Sequence, residues 1–169
     1  MAHSPMPLEY EDALPVVPLD DGDRLAVWVR SLLVLIAAGL TAVLATAALL
    51  RPYDEEGKPR TQETHLQLGL PRCAFYDKTG YPCPSCGFTT SFALTMHADP
   101  ANALRANSVG TLLAVFCLAV VPWSVISAWR GRYLFIVSAE RALIVTLLTF
   151  VVLMLVRWGI VLALAWGNR

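Results

Sequence analysis

Three of the chain's four cysteines, Cys73, Cys83 and Cys86, fall within one short polar stretch, and their spacing is that of soft-metal or thiol chemistry. The stretch reads Cys73-Ala-Phe-Tyr-Asp-Lys-Thr-Gly-Tyr-Pro-Cys83-Pro-Ser-Cys86-Gly-Phe-Thr-Thr. Two residues between Cys83 and Cys86 make a tight turn that aims both sulfurs at one point. Pro84 stiffens that turn by fixing its φ angle. Gly87 tolerates the positive φ that lets backbone N–H groups approach a thiolate. A tetrahedral zinc or iron ion uses such a pair and needs two further ligands.

Cys73 is the third candidate, because Thr79-Gly80 offers a turn to fold it back. The fourth ligand is open between His97 and His65, with Asp77 also within the region. If Gly87 to Met96 is one helix, His97 sits eleven residues past Cys86, about 16 Å along the axis, outside a single coordination sphere. The same residues fit two other chemistries. Cys83 and Cys86 could exchange a disulfide, with Cys86 at the start of the following helix, where the dipole favours a thiolate. The βαβ context of thioredoxin-like enzymes is absent. In an oxidising compartment, a plain disulfide among the three would brace the loop. Cys117 lies among Phe116, Leu118 and Ala119 and reads as a small core residue.

The elements around this stretch must be membrane helices. Apolar residues make up 56% of the 169-residue chain and charged ones 15%, too apolar for an ordinary soluble domain. Lys plus Arg and Asp plus Glu stand at 13 each, so no basic excess points to nucleic acid. Residues 1–25 are acidic and rich in proline and are expected to be a disordered tail. Ser31–Leu50 is uncharged and, at about 1.5 Å per residue, crosses roughly 30 Å of hydrocarbon, so 26–50 is the first span. Ala45-Thr46-Ala47 matches a signal-peptidase site, but the long acidic leader favours an uncleaved anchor. Residues 51–107 form the extramembrane loop, 108–129 the second span, 130–141 a basic connector and 142–166 the third span. Pro122 is expected to kink the second span. Arg157 interrupts the third and is expected to snorkel beside Trp158 and Trp166.

Within the loop, Phe88, Phe92 and Met96 recur every four residues and mark a short interfacial helix. Asp99-Pro100 reads as an N-cap and first-turn proline opening a second one, to Ala106. Asp99 and His97 could handle a proton together, although a capping aspartate beside an interfacial histidine is the simpler reading. The fold class is therefore all-α integral membrane, with three transmembrane helices and two short interfacial helices in a cysteine-containing loop. Arg130, Arg132 and Arg141 in the short connector place it, and the N-terminus, in the cytoplasm. Arg51, Lys58, Arg60, Arg72, Lys78 and Arg105 in the loop pull the other way.

The stretch from Cys73 to about Asn107 resembles the bacterial membrane family called domain of unknown function 2752. The matching residues are Cys73, Thr79, Gly80, Cys83, Pro84, Cys86, Gly87, Thr89, His97, Asp99 and Asn107. Ala74, Ser85, Thr90, Ala98 and Ser108 depart from its pattern, and at Thr90 a characteristic arginine is missing. The resemblance implies a bacterial, multi-pass protein of the inner membrane and no particular activity. The leading expectation is a non-enzymatic accessory or interaction module, whose partners are the bilayer and an unidentified membrane protein. A membrane thiol oxidoreductase using Cys83 and Cys86 is the alternative. A metal-ion carrier is a third reading, which finds no acid or histidine in the spans to line a path.

Overall fold

A computed structural model describes residues 25–134 and 139–167; the tail at 1–24 and part of the connector lie outside the described residues. Among the described residues five α-helices follow in order: α1 (Val27–Leu49), α2 (Ala74–Thr79), α3 (Phe88–Met96), α4 (Pro100–Arg130) and α5 (Ala139–Gly167). A 3₁₀ turn at Thr64–Leu68 precedes α2, and no strand is present among the described residues beyond an isolated bridge between Tyr53 and Pro59. Helices α1, α4 and α5, of 23, 31 and 29 residues, are long and apolar enough to cross a membrane. Their large side chains, such as Leu35, Val115 and Val152, are exposed. Lipid is the solvent that such a surface requires.

Helices α1 and α4 run antiparallel. At one end the Leu25 N–H donates to Gly131 O at 2.7 Å and Arg30 Nε donates to Ala128 O at 2.8 Å. At the other end α3 wedges against both helices, and Leu44, Ala47, Phe92, Ala114 and Cys117 form the core between them. Thr90, Ser91, Phe92, Ala93 and Leu94 of α3 are all buried, so this helix is packed into the bundle. Gly110 makes the close approach possible, because a Cβ there would run into Ser91 Oγ. The loop is tied to the same helix by Thr64 and Thr90, whose buried hydroxyls share a hydrogen bond at 2.8 Å.

Helix α4 contains one backbone break. Asn107 leaves helical geometry at φ −159°, ψ 107°, while Pro122 is accommodated within helical dihedral angles. Thus the short helix from Pro100 ends at Ala106 and the span beyond it starts anew, the two meeting at a sharp break at Asn107. Asn107 heals its own break: its Oδ1 accepts from the Gly110 N–H at 2.9 Å, restarting the helix as an N-cap does. Helix α5 is attached differently. None of its residues is fully buried, and the half-buried ones, from Ala139 and Ala142 through Thr146, Phe150 and Met154 to Arg157 and beyond, form a single stripe at helical spacing.

Candidate metal centre

Each cysteine is delivered by a local turn. Cys73 immediately precedes α2, and the Asp77 N–H donates to its carbonyl at 3.0 Å. Gly80 ends the six-residue helix in the left-handed conformation, at φ 70°, and its N–H donates to Tyr76 O at 2.8 Å. Thr79 Oγ1 accepts from the Tyr81 N–H at 3.2 Å, and the chain turns back toward Cys83. The second turn runs from Cys83 to Gly87, with the Cys86 N–H donating to Cys83 O at 3.1 Å and the Phe88 N–H to Ser85 O at 3.0 Å. Gly87 stands at φ 85°. A Cβ on it would lie 2.6 Å from Ala106 O and 2.9 Å from Thr61 O, so the turn is pressed into a notch between loop and α4.

These turns bring the three sulfurs within 4.8 Å of one another. The Cys83 and Cys86 sulfurs are 3.1 Å apart, Cys83 Sγ lies 3.4 Å from Ser85 Oγ, and the Cys83 N–H donates to Cys86 Sγ at 3.2 Å. Around a tetrahedral zinc, sulfurs at about 2.3 Å from the ion sit about 3.8 Å from one another. The cluster fits such an ion after a small opening of the Cys83–Cys86 pair. Neither His97 nor His65 joins the group. His97 caps α3, with Nδ1 2.8 Å from Ala93 O, and its ring meets Tyr53 edge-on. His65 belongs to the 3₁₀ turn. Cys117 is in the helix core.

Without an ion, the two thiols of the tight turn are unequal. Burial raises both, but at Cys83 hydrogen bonds from Ser85, Cys86 and Cys73 outweigh it and hold the thiol below its ordinary value. At Cys86, burial and donation to Cys83 act together and push it up to about 12. Cys83 is therefore the more readily ionised of the two, not Cys86 as position relative to the helix suggests. The helix begins only at Phe88, behind Gly87, and Cys86 lies outside its first turn.

Three residues outside the cysteine stretch complete the surroundings. Asn107, fully buried, donates Nδ2 to Cys86 O at 3.0 Å while its Oδ1 restarts α4. From α5, Trp158 Nε1 donates to Pro82 O at 2.9 Å, its ring meets Phe75 edge-on, and Arg157 Nη2 donates to Ala106 O at 3.1 Å. Thr90 is buried against Thr64, so the cation near the turn comes from Arg157. Asp99 is a capping residue: Oδ1 accepts from the Asn102 N–H at 3.2 Å, and Oδ2 from Asn102 Nδ2 at 2.8 Å and from the Tyr53 hydroxyl at 3.1 Å. Those bonds from Asn102, and then that from Tyr53, hold its carboxyl below the usual range.

Fold and site together define a helical, multi-pass membrane protein with a three-cysteine cluster at one end of its bundle. Residues 73–121, the cysteine turns, α3 and the first two-thirds of α4, match the family described as protein of unknown function (DUF2752). No curated protein and no solved structure matches the chain.

Proposed function

We propose that Cys73, Cys83 and Cys86 bind one zinc or iron ion that holds the loop onto the helix bundle, in a non-enzymatic accessory or interaction module of a bacterial inner membrane. The observation that carries this is the convergence of three thiols, from two separate turns, within 4.8 Å. A disulfide uses two of them and leaves the third idle, whereas a thiophilic ion uses all three. The fourth position is filled from outside the cysteine set. The arginine-rich connector lies in the cytoplasm and the cysteine loop on the opposite side. The exposed faces of the three long helices meet lipid and the partner membrane protein.

Elemental analysis of the detergent-purified full chain, prepared without chelator, tests the metal reading. About one zinc or iron per chain, lost in Cys83→Ser, is the expected result, on the stoichiometry of a single thiolate site. No metal in the unsubstituted protein contradicts it.

The 3.1 Å separation of the Cys83 and Cys86 sulfurs favours one second reading, thiol–disulfide exchange. In that reaction the Cys83 thiolate attacks a partner disulfide, Cys86 resolves the mixed disulfide, and the partner leaves as a dithiol carrying two electrons. Because Cys83 is held low and Cys86 is pushed up to about 12, pulsed alkylation of metal-free protein near neutral pH modifies Cys83 before Cys86. Raising the pH toward 12 closes the gap. Equal rates at neutral pH remove the basis for an ordered exchange.

A further inference from the structure

The guanidinium of Arg157 has an unusual setting. It lies well inside α5, half-buried, and no carboxylate pairs with it among the described residues. A cation in a membrane helix is expensive unless something answers its charge. Its hydrogen-bond partner is the Ala106 carbonyl, which the break in α4 sets free: the Gly110 N–H that would bond it in an unbroken helix is taken by Asn107 Oδ1. The same carbonyl is the atom against which Gly87 is pressed, one residue after Cys86. Arg157 is close enough to Cys86 for the two to interact electrostatically. One residue on, Trp158 bonds the carbonyl of Pro82, immediately before Cys83, and touches Phe75, two residues after Cys73. Helix α5 thus reaches both cysteine turns through Trp158, while Arg157 beside it bonds the α4 carbonyl on which the second turn rests.

Three thiolates and a divalent ion leave one net negative charge. We infer that Arg157 supplies the matching positive charge, a positioning residue on the third long helix that neutralises the thiolate-bound ion and is itself held by it. This rests on the metal reading proposed above. At a half-buried site such as this one, opposite charges count for more than at an open surface. By linkage, if α5 strengthens ion binding, then ion binding strengthens the docking of α5 to the same degree. A helix whose other contacts form one half-buried stripe would be fixed by the occupied site.

The test is a titration of the stripped full chain, in detergent, with zinc under chelator competition and with cobalt(II) as a spectroscopic probe. Arg157→Gln is expected to weaken zinc about tenfold or more, the scale seen when groups supporting metal ligands are removed. It also moves the thiolate-to-cobalt charge-transfer band to longer wavelength, because thiolates without a nearby cation give up electrons more readily. Arg157→Lys retains the charge and restores both. Trp158→Phe, which removes a bond to the loop but no charge, leaves the band where it was. Wild-type affinity and band in Arg157→Gln overturn the inference. If Arg157→Gln does not fold, Arg157→Lys decides: unchanged affinity and band support the charge role, and a tenfold loss overturns it. Wild-type protein that takes up neither zinc nor cobalt overturns the metal reading, and this inference with it.

Discussion

The two sides of the cysteine cluster are built on different principles. On one side the Cys83–Gly87 turn sits in a notch of α4 whose dimensions are set by missing atoms: no Cβ at Gly87, none at Gly110, and one residue of helix surrendered at Asn107. On the other side α5 has no fully buried residue and is attached through two long side chains, Arg157 to α4 and Trp158 to the loop. Packing of the first kind tolerates no change of shape, because interiors at crystal-like density have no slack. Attachment of the second kind depends on charge and a few hydrogen bonds. A thiolate site thus has one rigid wall and one conditional wall.

The sharpest way to break that contrast is Gly87→Ala. The new methyl would stand 2.6 Å from Ala106 O on a backbone at φ 85°, so steric overlap and the positive φ act together. We expect a loss of about 3 kcal/mol or more, or failure to accumulate, read by denaturant unfolding in detergent. Unchanged stability would mean that the notch is not rigid.

Next in size is Asn107→Ala, which leaves the Cys86 carbonyl and the Gly110 N–H without partners. Two buried groups orphaned in this way cost about 2–4 kcal/mol together. Asn107→Asp separates them, since a carboxylate can still accept from Gly110 but cannot donate to Cys86. If both variants unfold at the same denaturant concentration as the parent, the break in α4 is not held by its side chain.

The smallest effect is a gain. Ala98 occupies the left-handed region at φ 57°, between α3 and α4. An L-residue there costs roughly 1–2 kcal/mol, of which the greater unfolded-state freedom of glycine returns part. Ala98→Gly is therefore expected to stabilise by up to about 1 kcal/mol, without altering metal content. A destabilised Ala98→Gly would show that the alanine methyl makes a contact worth more than the strain.

Much of this was legible in the chain because it is local. Apolar runs long enough for a bilayer announce α1, α4 and, despite Arg157, α5, and Thr79-Gly80 and Cys-Pro-Ser-Cys-Gly announce the turns that carry the sulfurs. Asp99-Pro100 announces the start of α4, and Asp99 does accept the Asn102 N–H there. What could not be read depends on distant partners. Asn107 reads as a boundary between two helices, and it is one, but nothing near it in sequence reports its bond to Cys86, 21 residues away. Arg157 looks like a residue reaching for the interface, because nothing near it in sequence reports the Ala106 carbonyl 51 positions earlier. The thiolate was expected at Cys86 from its place before a helix. The sulfur-to-sulfur and sulfur-to-hydroxyl contacts that favour Cys83 arise only once both turns are folded.

X-ray absorption at the metal edge of the purified full chain tests the central claim most directly, since it counts the sulfurs around the ion. The account predicts about three sulfurs, near 2.3 Å for zinc, and one lighter atom. A shell with no sulfur, or with a single one, would contradict it.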